Sequence, residues 1–269
     1  VIIPLFFGRL KLALWYETGR GLVKTKLARC NIGADVYLCC PGPSLASVQN
    51  TDLHIPGVIT VAINTAYPHI CPDIWIGMDD PQCYDRTLWW RPFMKIARGG
   101  YQNRTCEGAQ ISRCPNVFFA DCAEPQDRLD LFRLRAHDVK FVWHKNTLAI
   151  SLHILVWMGA KKIHLLGCDL GGSKDYYDDR ILTEEQRKYN QRLYKHQVDY
   201  LKWFANTGKQ FDVSLVSCTP RSPINEFVDY YDLNEALLMS NAHVPNPGII
   251  KHVLDTKTSD DNPTQDLRI

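Results

Sequence analysis

The stretch DVYLCCPGPSL, residues 35–45, carries the reading of the chain. DVYLCC is a continuous run of strand-favouring residues with no polar alternation, the pattern of a parallel strand buried on both faces. PGPS then breaks it: Gly42 allows a tight turn, and Ser44 can cap a short helix over 44–50. A strand, a glycine turn and a helix start gather backbone N–H groups and the positive helix end at one place, where a phosphate can sit over Gly42, Pro43 and Ser44. A plain strand-to-helix turn with a serine cap accounts for the same residues. The GxGxxG dinucleotide fingerprint does not occur here, since its second and third glycines are missing.

Working outward, similar apolar runs recur at 58–63, 73–78, 116–120, 139–143, 162–166 and 212–217. Helical patterns are read at 83–90, 147–159, 184–206 and 232–239. Strands alternating with helices predict an α/β fold, a mostly parallel sheet covered on both faces. Residues 83–115 scatter Gly, Pro, Trp and Arg with little periodicity and read as an insertion on the substrate side of the sheet. Residues 1–241 then form one domain, and 242–269, with its PNPG and DDNP, a polar C-terminal tail.

Composition agrees with a globular protein. The 269 residues are 45% hydrophobic and 22% charged, with 31 Lys/Arg against 29 Asp/Glu. Charge is uneven: residues 1–31 hold six Lys/Arg against one Glu, and residues 229–269 hold three against seven Asp/Glu. The ten cysteines have no CxxC pair or framework spacing, so they read as buried free thiols in a reducing, cytoplasmic setting with no metal. The first apolar segment is broken by Pro4, Gly8, Arg9 and Lys11, and TLAISLHILVWM at 147–158 is too short to span a bilayer. No stable membrane insertion is expected, and the sequence sets no oligomeric state.

Polar residues gather where strands end. Asn64 follows the second run and Asp79-Asp80 the third, at the edge where open α/β sheets bind ligands. Asn64 can read a base or ribose through its amide, and Asp79 can bond a ribose hydroxyl or hold a divalent metal; both are equally ordinary turn formers. Asn146-Thr147 opens a helix that is apolar all round, so its buried N-terminus needs a cap or an anion. Gly167 lets backbone approach a ligand, and Asp169 stands at another strand end as a candidate catalytic carboxylate. Asp175 to Arg180, with Tyr177 as a ligand contact, reads as a loop that closes over substrate. On the 184–206 helix His196 is the candidate general base, because a neutral imidazole takes a hydroxyl proton near pH 7. Tyr194 and Asp199 are its alternates, and Arg221 offers a fork for phosphate or carboxylate.

The order strand-PGPSL, strand-Asn64, strand-Asp79, Asn146-Thr147-helix-GAKKIHLLGCDL, Tyr-rich loop, long helix and CTPRSPINEF resembles two Rossmann-like families over about residues 35–228. One is the bacterial sialyltransferases of the Campylobacter lipooligosaccharide type. The other is the archaeal 6-hydroxymethylpterin diphosphokinase-like proteins. The first resemblance implies a nucleotide-sugar glycosyltransferase whose donor is held by Gly42, Pro43, Ser44, Asn64 and Thr147, with Ser222 on the family's C-terminal Pro-x-Ser turn and His196 nearest its catalytic histidine. Two positions depart from that pattern: Pro41 replaces a donor-contacting Asn, and Leu148 a Gly. The second implies magnesium-dependent diphosphate transfer from ATP through Asp79 and Asp80; in the glycosyltransferase reading magnesium can assist but is not required. A non-catalytic nucleotide or nucleic-acid binding protein is the third reading.

For the acceptor, a glycan hydroxyl stands beside a hydroxymethylated base in viral DNA. Residues 86–145 hold eleven Lys/Arg against six Asp/Glu, interleaved with Trp89, Trp90, Phe93, Tyr101 and Phe132, a mixture that can track a nucleic-acid backbone and stack a base. A solvated basic face over buried aromatics reads the same way.

Overall fold

The computed structural model describes residues 14–18, 21–25, 27, 35–55, 58–123, 132, 140–144, 146–171, 176–178 and 180–240. Its strands are β1 Leu14–Thr18, β2 Gly21–Lys24, β3 Asp35–Cys39, β4 Val58–Ile63, β5 Ile74–Gly77, β6 Met94–Arg98, β7 Thr105–Cys106, β8 Ala109–Gln110, β9 Val117–Ala120, β10 Cys122–Ala123, β11 Phe141–Val142, β12 Lys162–Leu166, β13 Ser214–Ser217 and β14 Asp229–Tyr230. The α-helices are α1 Thr147–Met158, α2 Glu184–Gly208 and α3 Leu233–Ser240. Ten strands form one sheet in the order β14-β13-β12-β3-β4-β5-β6-β9-β1-β2. From β14 to β9 all neighbours run parallel; β1 and β2 join the far edge antiparallel.

Alternate residues of each strand feed two cores, because successive side chains point to opposite faces. Val36 and Leu38 of β3 join Val61 and Ile76 beneath α1 and the buried stripe of α2. Tyr37 and Cys39 face the other way, toward Trp75, the 3-10 turns and Ala236 and Leu237 of α3. Both faces are thus covered, which is why the strands read as unbroken apolar runs. Every residue of α1 is buried, as a helix without a polar face must be, and it packs on β4, β5 and β11 before Gly159, at φ +98°, ends it in a left-handed cap. α2 begins with a capping box between Thr183 and Gln186 and buries Tyr200, Leu201, Phe204 and Ala205.

Three expectations change. The helices read at 44–50 and 83–90 are 3-10 segments, Pro43–Ser47 and then Pro81–Cys83 and Arg86–Trp90, each ended by extended backbone. Within 83–115, read as an insertion, Met94–Arg98 lies in the main sheet between β5 and β9. Lys95 hid this strand. Its side chain is fully buried, and its ammonium donates to the carbonyls of Arg91 and Phe93, which satisfies a charge that would otherwise forbid the position. The run 139–143 supplies only Phe141–Val142, which pairs with β10 outside the main sheet. The polar tail 242–269 lies outside the described residues.

From β3 the chain steps through β4, β5 and β6 toward one edge; from β12 it steps through β13 and β14 toward the other. β3 and β12 are neighbours, so the sheet reverses direction between them and leaves a crevice outside their carboxyl ends.

One buried group ties α1 to β11. His153 has no exposure, its Nδ1 accepts the Val142 N–H at 2.7 Å, and its ring meets Phe141 edge-on. Burial, reinforced by nearby His144, pushes its pKa down from 6.5 to about 3. Between those values the unfolded chain takes a proton that the native ring refuses, so stability is full above pH 6.5 and declines as pH falls toward 3. Urea denaturation across pH 7 to 4 should show this decline, up to about 1.4 kcal/mol per pH unit from this one group. His153→Asn, which keeps an acceptor near Nδ1 but cannot titrate, should flatten it.

Candidate functional site

The crevice is built on a contact between two turns. Cys40 N–H donates to the Leu166 carbonyl at 2.8 Å and Gly42 N–H to the Gly167 carbonyl at 2.9 Å, extending the β3-β12 ladder past the strand ends. A Cβ on Gly42 would lie 2.3 Å from the Gly167 carbonyl and 2.3 Å from Asp169 Oδ2; one on Gly167, at φ +61°, would lie 2.1 Å from the Cys40 carbonyl. Both glycines are demanded by this approach. Asp169 closes the contact, its Oδ2 accepting the Ser44 N–H at 3.1 Å and the Ser44 hydroxyl at 2.9 Å. Burial pushes the Asp169 carboxyl up, against the Ser44 hydrogen bonds that pull it down. The N–H groups of Gly42 and Ser44, read from sequence as phosphate donors, are therefore engaged within the chain.

Above this contact opens a cleft of about 270 Å³. At the end of β4, Asn64 takes the left-handed conformation, φ +50°, with its carbonyl held by the Trp75 indole N–H at 2.8 Å. At the end of β5, the Asp79 N–H donates to the Tyr84 hydroxyl at 2.9 Å. Asn146 caps α1 by accepting the Leu148 N–H at 2.9 Å, placing Thr147 and the positive helix end at the cleft. Trp143 walls one side, with the Arg98 guanidinium 5.0 Å from its ring centroid. α2 contributes Tyr189, Asn190, Leu193, Tyr194 and Gln197, one helical face. Among the described lining residues the charges are two carboxylates, Asp79 and Asp169, with no Lys or Arg.

Of the residues expected from sequence, Gly42, Pro43, Asn64, Asp79, Asn146, Thr147, Gly167 and Asp169 line this cleft, and Ser44 stands bonded behind Asp169. Tyr177 does not line it. Its hydroxyl donates to the Thr65 carbonyl at 2.9 Å and its N–H to the Pro41 carbonyl at 3.1 Å, so it pins its loop to the sheet edge. Its neighbour Tyr176 faces the cleft, with Arg180 over its ring at 4.4 Å. Ser222 is buried and donates to the Cys168 carbonyl at 2.6 Å, holding the turn that follows β12. Exposed His196 lies beside the cleft rather than in it, lining a second chamber of about 250 Å³ with His144, Asp199 and Tyr200. Asn146 and Leu193 border both chambers. Asp175 lies outside the described residues, and Arg221 is exposed at φ +61°.

Sequence reasoning missed Trp143, Asn190, Leu193 and Gln197. The α2 set was findable, since 189, 190, 193, 194 and 197 share one face. Trp143 carried no signal, because its contacts, the Ala123 carbonyl and the Arg98 guanidinium, are distant in sequence. In the basic, aromatic stretch Trp89, Phe93, Phe132 and Lys95 are buried, whereas Trp90, Arg86, Arg91, Arg104 and Arg113 are exposed, Arg104 pairing with Asp80 at 3.3 Å. The nine described cysteines are free thiols, and among the described residues no group of three or more His, Cys, Asp or Glu is placed to hold a metal. No helix of the described residues is long and apolar enough to cross a membrane.

No family model matches the chain, and no curated protein matches it. Among solved structures it is similar to the Campylobacter jejuni sialyltransferase CstII with the substrate analogue CMP-3FNeuAc, at TM-score 0.45 and 14% identity over 75% of this chain and 88% of that one. CST-II with a trisaccharide acceptor and CMP gives 0.45 and 14% over 74% and 87%. The monofunctional α-2,3-sialyltransferase Cst-I of the same organism gives 0.41 and 11% over 90% and 99%. Overlaps at this level carry no conclusion about this chain's chemistry, which rests on its own residues.

Gly42→Ala should strain the turn contact and destabilise the protein by roughly 1–3 kcal/mol, the ordinary cost of overpacking. Thermal unfolding should fall by roughly 3–10 °C; an unchanged midpoint would show that the two turns are not tightly joined.

Proposed function

We propose that the protein is a glycosyltransferase that moves a sugar from a nucleotide-sugar donor to a hydroxyl of a glycan acceptor. The observation that carries this reading is the pair of adjoining chambers: one at the switch point, lined by hydroxyl-reading groups and a helix N-terminus, the other holding His196. A transferase needs such a division, because donor and acceptor must meet at one atom while each is held separately.

In this reading the donor occupies the first chamber, with its sugar toward the wall formed by Asn146 and Leu193. The acceptor hydroxyl enters from the second. Its oxygen forms a bond to the anomeric carbon, the bond from that carbon to the phosphate oxygen breaks, and the hydroxyl proton passes to the His196 imidazole. Asp199 lines the same chamber. The departing nucleotide phosphate gains charge, which the positive end of α1 and the tyrosine-rich α2 face meet. Asp169, engaged with Ser44, shapes the turn rather than handling the proton.

Two measurements check this. In a thermal-shift series of nucleotides and nucleotide sugars, one ligand at 100 times its Kd should add about 2.7 kcal/mol, raising the midpoint by roughly 5–10 °C. With that donor, His196→Ala should lower kcat about 100- to 10,000-fold while the donor KM changes less than about twofold, and wild-type turnover should persist in EDTA. Near-normal turnover of the variant at saturating acceptor removes His196 from the mechanism.

A further inference from the structure

Asn64 and Asp79 sit on the ends of neighbouring strands, and one buried phenol reaches both. The Tyr84 hydroxyl accepts the Asp79 N–H at 2.9 Å, and its single proton lies within reach of Asn64 Oδ1 at 3.4 Å and Asp79 Oδ2 at 3.5 Å. The phenol has little freedom. Its ring stands edge-on against Trp75 with centroids 4.7 Å apart, and Trp75 is in turn backed by Trp89 at 5.6 Å. Gly77 makes the room: a Cβ there would lie 2.2 Å from the Trp75 ring and 2.8 Å from Tyr84 Cζ. Trp75 also holds the Asn64 carbonyl, so the left-handed Asn64 is fixed through main chain and side chain by the same aromatic cluster. Burial, with the charge of Asp79 adding, pushes the Tyr84 phenol up and keeps its proton in place.

We infer that Tyr84 is a positioning residue that presents Asn64 and Asp79 as a matched donor and acceptor for a vicinal diol, the ribose of the nucleotide. With Oδ1 turned to Tyr84, the Asn64 amide shows its N–H groups to the cleft; the Asp79 carboxylate offers only acceptors. Adjacent strands are about 4.8 Å apart, a span over which an amide and a carboxylate reach two neighbouring hydroxyls. A hydroxyl donates and accepts, so each of the two finds its complement, whereas a 2′,3′-dideoxy sugar leaves both groups unpaired. A phosphate would meet the amide but be repelled by the carboxylate. The ligand assignment rests on the proposed nucleotide-sugar reading; the positioning role does not.

The test uses the full chain and Tyr84→Phe, with two readouts. In the 15N-labelled protein the Asn64 side-chain amide signals, assigned by their loss in Asn64→Ala, should shift when the phenolic hydroxyl is removed. Binding of AMP, GMP, CMP and UMP should be measured beside the 2′,3′-dideoxy form of each. The wild type should prefer the ribonucleotide by about tenfold or more, and Tyr84→Phe and Asn64→Ala should each lose that preference, with no further loss in the double variant. Unmoved Asn64 signals in a variant of wild-type melting temperature overturn the positioning role. Equal wild-type affinity for ribo and dideoxy forms overturns the diol. If no nucleotide binds the wild type, the nucleotide-sugar reading falls, and the Asn64 signals still decide the role of Tyr84.

Discussion

Gly42 and Gly167 let two turns touch backbone to backbone, and Asp169 locks the contact through Ser44. This occurs where the sheet changes direction between β3 and β12, the point at which the connections diverge and leave a crevice. Any side chain larger than hydrogen at either glycine would push the turns apart. The cleft therefore inherits its floor from a packing constraint, with the other strand ends and two helices arranged around it.

That constraint changes the chemistry expected of the turn. A strand, a glycine turn and a helix start usually offer N–H groups to an anion, but here the chain supplies its own carboxylate. The positive end left facing the cleft belongs to α1, capped by Asn146. The remaining polar surface consists of amides, carboxylates and tyrosines, groups suited to hydroxyls. Beside it lies a second chamber lined by His144, His196 and Asp199.

Much of this architecture is legible in the amino-acid sequence. Continuous apolar runs announce β3, β4, β5, β9, β12 and β13, and the all-round apolar 147–158 announces a buried helix, because burial on every side leaves no polar residue to break the pattern. Strand β6 is hidden by Lys95, a charged residue in a buried strand whose ammonium donates to the Arg91 and Phe93 carbonyls. The hairpin of β1 and β2 is masked by the broken apolar front of the chain. Among cleft-lining residues, those at strand ends are recognisable because the crevice follows from topology. Tyr84, Trp75 and Trp143 are not, since their roles depend on contacts across elements that no local spacing records. Tyr177 and Ser222, expected in the site, brace its surroundings instead.

In the proposed function the cleft at the β3-β12 edge is where nucleotide sugar binds. Amide hydrogen exchange of the full chain, with and without saturating nucleotide sugar, tests it most directly. Exchange should slow over 63–66, 146–150 and 168–171, with little change in β9, β13 and α3. Protection confined to those distant elements, with the strand ends and the α1 start unaffected, would contradict it.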